Sequence, residues 1–167
     1  MNAYVLDAFE FCRQGLAREE TVAVVDLKRV AEDCADDSGE VHWSLQGGQH
    51  ANGYPQWKLG VRATLQLMCQ RCLTPFAFQL DSGTTLILAR DDEKADEMEI
   101  ELDDESLDVI VASRAFNILE MIEDEVLLAM PLAPRHQQCT DGAAPELADG
   151  ESDEIELPFS GLKGLKQ

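Results

Sequence analysis

The chain has 167 residues, 33 of them acidic and 13 lysine or arginine, so its formal net charge is -20 at pH 7. This length suits one compact domain with a hydrophobic core, and the 45% of hydrophobic residues fits a globular protein. Such a charge repels phosphate backbones and disfavours generic nucleic-acid binding, whereas it attracts basic partners.

The lack of long hydrophobic runs and the spacing of the cysteines indicate the cellular compartment of the protein. No apolar run reaches the roughly 18 residues of a membrane span. The first 14 residues lack a basic start followed by an apolar stretch, which disfavours a secretory signal. Five widely spaced cysteines do not form a disulfide framework. We therefore expect a soluble, cytoplasmic protein with free or metal-bound thiols and no membrane partner.

The first part of the chain predicts short strands and one short helix. "TVAVVDL" (21–27) is typical of a strand, and the following "LKRVAEDCA" of a helix. In "EVHWSLQ" (40–46) the apolar residues alternate with polar ones, which indicates a second strand. "GGQHANGYP" (47–55) is rich in turn-forming residues and predicts a loop.

The clearest alternation in the chain surrounds two cysteines. Apolar residues occupy every second position over 59–67, and the pattern resumes over 76–80. About seven residues separate the two stretches. This predicts an antiparallel hairpin that carries Cys69 and Cys72 near its tip.

The second half of the chain combines an acidic segment with apolar periodicity. Residues 91–108 contain eleven acidic residues and one lysine, and "MEIEL" (98–102) within them predicts a short strand. One long helix is predicted at about 105–130, ended by Pro131. The apolar residues at helical spacing are Leu107, Ile110, Val111, Ile118, Leu119, Ile122 and Val126.

The order of elements predicts the fold class. Strands and helices do not alternate as in a parallel α/β fold, so we expect an α+β domain built on an antiparallel sheet, with the long helix packed on it. This single domain is expected to span residues 1–139. Residues 140–167 are acidic and poor in large apolar side chains, which predicts a disordered tail.

Two residue pairs offer a metal site. Cys69 and Cys72 form a C-x2-C pair, and His136 and Cys139 form an H-x2-C pair 63 residues further on. Three thiolates and one imidazole are the tetrahedral donor set that structural zinc prefers. The separation is longer than in common zinc fingers, so the cysteines are equally compatible with unliganded turn residues.

A redox pair is the third interpretation of the two cysteines. It requires a thiol of lowered pKa, commonly at a helix N-terminus. Cys69 instead follows a strand, and Cys72 is followed by another, which argues against a thioredoxin-like site. Arg71 between them can neutralise thiolates, contact a phosphate or simply be an exposed loop residue.

The remaining polar residues do not predict an enzyme. Glu120, Glu123, Asp124 and Glu125 lie close together on the predicted helix, where a solvated helix face is the favoured interpretation. No GxSxG, phosphate-binding glycine loop or HExxH motif occurs. We therefore expect no catalytic residues.

Three segments together resemble a known family. "LQLMCQRCLTPF", "LEMIEDEVLLAMPLAPRHQQC" and the closing "PFSGLKGL" resemble the YceD family, with a likeness that covers roughly residues 20–167. That family is associated with accumulation of large-subunit ribosomal RNA, and the resemblance implies a role in ribosome assembly without a catalytic residue. Other branches carry more cysteines after the helix, where this chain has His136 and Cys139.

Three functional hypotheses follow. The preferred one is a non-catalytic assembly factor that binds a basic ribosomal protein or a pre-ribosomal particle. The alternatives are a direct ribosomal RNA-binding protein and a thiol redox protein using the CxxC pair. The candidate contact residues are Arg62, Arg71 and Arg135 for RNA, and Phe159, Leu162 and Leu165 for a partner groove.

Overall fold

A five-stranded sheet forms the centre of the computed structural model, which describes residues 3–139. The strands lie in the order β2-β3-β4-β5-β6, and β1 pairs with β7 in a separate two-stranded sheet. The elements are β1 (Val5–Leu6), α1 (Ala8–Arg13), β2 (Ala17–Ala23), a 3-10 turn (Val24–Asp26), α2 (Lys28–Asp33), β3 (Glu40–Gln49), β4 (Pro55–Met68), β5 (Pro75–Ala89), α3 (Asp92–Leu102), β6 (Asp108–Val111), β7 (Phe116–Asn117) and α4 (Ile118–Ala129).

Four strands of the main sheet form its antiparallel part. Strands β2 to β5 are antiparallel neighbours in chain order. Strand β6 is different, because it pairs parallel to β5 after the chain crosses over through α3. The fold is therefore α+β with a mixed sheet rather than a wholly antiparallel one.

The alternating pattern of β3 and β4 makes one face of the sheet apolar. Val41, Trp43 and Leu45 are buried on β3, and the odd-numbered residues 57–67 are buried on β4. Helices α1, α2 and α4 pack on this face and share one hydrophobic core with it. The polar residues between the buried ones, such as Arg62, lie on the opposite face.

The prediction of one long helix at about 105–130 is wrong. Its first part is strand β6 and its second part is α4, which begins at Ile118 after the side chain of Asn117 accepts a hydrogen bond from the Leu119 N–H. Leu107, Ile110 and Val111 fit helical spacing by coincidence. Ile110 and Val111 pair with Leu88 and Ala89 of β5, and Leu107 lies in the connection before β6.

The strand predicted at 98–102 is also wrong, because these residues belong to α3. The side chain of Asp91 accepts a hydrogen bond from the Lys94 N–H at the start of this helix, and Asp103 ends it in a left-handed conformation. Met98 and Leu102 are four residues apart, so they satisfy a helical as well as an alternating pattern. Met98 is buried and Ile100 is exposed.

The predicted tail at 140–167 lies outside the described residues. Among the residues that the structure does describe, no helix combines the length and the hydropathy needed to cross a bilayer.

Candidate metal centre

The four predicted ligands come together where the β4–β5 connection meets the chain leaving α4. Met68 pairs with Pro75 across β4 and β5, so residues 69–74 form the connection that carries Cys69 and Cys72. The backbone N–H of Gln70 donates to the carbonyl of Pro134 at 2.9 Å. This bond aligns the segment after α4 with the connection, and His136 and Cys139 follow it.

The distances within the cluster fit one tetrahedral ion. The ligand atoms of Cys69, Cys72, His136 and Cys139 all lie within 4.8 Å of one another. The Sγ atoms of Cys69 and Cys139 are 3.7 Å apart. His136 Nδ1 lies 3.2 Å from Cys72 Sγ and 3.9 Å from Cys139 Sγ. Zn–S bonds of about 2.3 Å at tetrahedral angles place two sulfurs about 3.8 Å apart, close to the observed separation.

Cys69 and Cys139 have strongly divergent pKa values. Burial acts to raise the pKa of Cys69, but surrounding backbone N–H groups outweigh it and lower the pKa from 9.0 to about 5. These N–H groups belong to Cys72, His136 and Arg71. Burial, together with hydrogen bonding to the thiols of Cys69 and Cys72, raises the pKa of Cys139 to about 11. Close thiols cannot all ionise without a cation, and a bound Zn²⁺ would supply that charge.

The cysteine loop holds an unusual leucine. Leu73 adopts φ 56°, the left-handed region that favours glycine, while its N–H donates to the Cys69 carbonyl at 2.9 Å. A non-glycine residue there costs about 1–2 kcal/mol. The Leu73 side chain is nevertheless 71% exposed, so burial does not offset this cost.

Two neighbouring side chains complete the surroundings of the centre. Thr74 Oγ1 lies 3.0 Å from Cys72 Sγ. The rings of Phe76 and His136 are 4.8 Å apart between centroids, so Phe76 restricts the orientation of the imidazole. Polar and packing contacts of this kind orient metal ligands and tune their affinity.

Comparison with known protein families assigns the chain to one of them. The family model of the large ribosomal RNA subunit accumulation protein YceD matches residues 57–166. The chain belongs to the YceD family. No solved structure matches the chain. The matched range of this YceD family member includes all four ligands, both strands that carry the cysteine connection, and α4.

The structure separates the three arginines predicted to contact RNA. Arg71 and Arg135 each follow one partner of the Gln70–Pro134 hydrogen bond, and both are exposed beside the metal centre. Arg62 lies within β4, on the polar face of the sheet, where its Nε is 3.2 Å from Asp81 Oδ2. The other predicted contacts, Phe159, Leu162 and Leu165, lie outside the described residues.

Sequence reasoning missed the residue that fixes α4. Glu123, interpreted as part of a solvated face, is buried with 8% exposure. Its carboxylate accepts hydrogen bonds from the backbone N–H of Arg29 at 2.6 Å and from Arg29 Nε at 2.9 Å. This pair joins α2 to α4 beside the apolar face that the helix buries in the core. A run of carboxylates on a helix does not reveal which one is buried.

Proposed function

We propose that this YceD family member is a non-catalytic factor in large ribosomal subunit biogenesis. It supports accumulation of large-subunit ribosomal RNA by binding a basic ribosomal protein or a pre-ribosomal particle in the cytoplasm. The observation that carries this proposal is the family match, which spans residues 57–166.

The acidic surface supports a basic partner. Residues 91–108, here called the acidic band, contain eleven carboxylates, and every one of them is exposed. Lys94 is the one basic residue of the band, and it pairs with Glu97 at 2.7 Å. Most of this negative charge is therefore available to a partner, and it would accelerate association with basic proteins at low salt.

The Cys3His cluster supports the same interpretation, because it suits a structural zinc ion. The four side chains form a complete Cys3His set, which leaves no open coordination position for a substrate or a reactive water. Bound zinc would hold the cysteine connection against the segment after α4. The centre then shapes a binding surface and carries out no chemistry itself.

The thiol redox alternative has one supporting observation. The lowered pKa of Cys69, to about 5, is typical of a reactive thiol, although burial alone would raise it. The Cys69 side chain is completely buried, however, and zinc would occupy its sulfur. A redox protein would form a Cys69–Cys72 disulfide reversibly when a small disulfide such as oxidised glutathione is added as the oxidant, whereas a zinc-bound protein would form none until the metal is removed.

The experiment that tests the proposed function is co-sedimentation from a native cell lysate. The full chain should migrate with large-subunit precursors or be recovered with large-subunit ribosomal proteins at low salt. Charge reversal of the acidic band in Asp96→Lys/Glu99→Lys should reduce recovery several-fold. The matched control is Glu32→Lys/Asp37→Lys, which reverses two other exposed carboxylates and should retain recovery. Recovery of neither particles nor ribosomal proteins by the native chain contradicts the proposal.

A further inference from the structure

We propose that the surface beside the metal centre binds the backbone of single-stranded or looped large-subunit ribosomal RNA. This surface, here called the arginine–leucine surface, consists of Arg71, Leu73, Leu132 and Arg135. The proposal rests on the proposed function, since it names the RNA contact of a factor acting on large-subunit precursors.

The first argument is the local charge. Residues 65–80 contain Arg71 and no carboxylate, and residues 126–140 contain Arg135 and no carboxylate. The remainder of the chain carries all 33 acidic residues. These two segments meet at the metal centre through the Gln70–Pro134 hydrogen bond. Asp33 is the one carboxylate that lines the adjoining cavity, so a polyanion would meet less negative charge at this end than along the acidic parts of the chain.

The second argument is that both arginines are free to bind. Arg71 and Arg135 are exposed, and within residues 3–139 neither forms an ion pair. Arg29 and Arg62, in contrast, pair with carboxylates. Guanidinium groups bind phosphate oxygens through two parallel hydrogen bonds, so two neighbouring arginines suit successive phosphates of one RNA strand.

The third argument is the conformation of Leu73. The chain keeps a leucine at φ 56°, where glycine would be favourable, and leaves its side chain 71% exposed. Leu132 is also exposed, and it lines a small cavity with Gln70 and Pro134. Both exposed apolar side chains are close in the chain to an exposed arginine, so a ligand on this surface can cover them. There they would pack against a ribose or an unstacked base.

The test uses the full-length, zinc-loaded protein and a tiled set of in vitro-transcribed fragments of large-subunit ribosomal RNA. Affinity is measured over a series of salt concentrations. Arg71→Gln/Arg135→Gln should weaken binding at least tenfold at low salt. It should also reduce the slope of log K against log salt by about 1.4, since each single-strand phosphate contact contributes about 0.7. Arg114→Gln, which removes an exposed arginine from the loop after β6, should bind like the native chain.

Leu73→Gly separates an RNA contact from a structural role. Glycine adopts the observed φ without strain, so this variant should keep its zinc and its melting temperature while binding RNA several-fold more weakly at every salt concentration. The inference is overturned if the native chain binds no fragment, or if the arginine double variant binds as the native chain does. It is also overturned if Leu73→Gly loses particle binding but not RNA binding, which would identify a protein as the occupant. Co-sedimentation of the native chain with precursors in the absence of RNA binding would leave the proposed function intact.

Discussion

Cys69 and Cys139 are 70 residues apart in the chain, yet their Sγ atoms lie 3.7 Å from each other. Between them the chain completes the sheet, crosses over through α3 and packs α4 on the core. A metal ion bound at this point would close a loop that contains half of the domain. The centre would therefore link the conformation of the cysteine connection to the position of α4.

The metal centre should contribute strongly to stability. Cys139→Ser removes one ligand and should weaken zinc binding at least about a hundredfold, which removes roughly 2.7 kcal/mol of ligand-linked stability. Thermal unfolding with and without a chelator measures this, and the chelator should lower the melting temperature of the native chain more than that of the variant. Cys34→Ser is the control, because Cys34 is also partly buried but is not a ligand. Equal effects of the two substitutions would contradict the assignment.

The Glu123–Arg29 pair should be the strongest ion pair of the described residues. Glu123→Ala leaves the Arg29 N–H without its acceptor and should cost about 2 kcal/mol, in the range of hydrogen bonds to charged groups. Asp124→Ala removes an exposed partner of the same arginine and should cost less than about 1 kcal/mol. Urea denaturation measures both. A larger loss in Asp124→Ala would show that burial of Glu123 does not decide the strength of the pair.

The left-handed conformation of Leu73 predicts that glycine at this position gives a more stable protein than alanine does. Leu73→Gly relieves the unfavourable φ, whereas Leu73→Ala removes the same exposed side chain and retains the strain. Leu73→Gly should therefore be about 1 kcal/mol more stable than Leu73→Ala. The midpoints of urea unfolding provide the comparison. If alanine is the more stable of the two, the left-handed conformation does not persist in solution.

Thiol accessibility should depend on the metal. In the zinc-loaded protein, Cys69, Cys72 and Cys139 should resist alkylation, and a chelator should expose all three to iodoacetamide. Cys12 should remain unreactive in both states, because burial raises the pKa of its thiol and less thiolate is present at a given pH. Mass spectrometry of the alkylated peptides identifies each site. Rapid alkylation of Cys69 before metal removal would favour the redox alternative.

The sequence predicts the chemistry of the site better than its architecture. The two-residue spacing of the C-x2-C and H-x2-C pairs is a local property, and it identified the donor set that the structure brings together. Convergence of the two pairs depends instead on where α4 lies. In the structure α4 packs its apolar face in the core, and its buried Glu123 contacts Arg29, 94 residues away in the chain. The helical spacing of Leu107, Ile110 and Val111 gave a wrong prediction for a similar reason, since Ile110 and Val111 pair with another strand, β5.

The most direct test of the account is the metal content of the full-length protein purified without chelators, measured by elemental analysis. A Cys3His centre predicts one zinc ion per chain in the native protein, unchanged content in Cys34→Ser, and loss of the metal in Cys69→Ser/Cys139→Ser. A native protein without bound metal that also fails to take up added Zn²⁺, or a double variant that retains zinc, would contradict the centre on which this account depends.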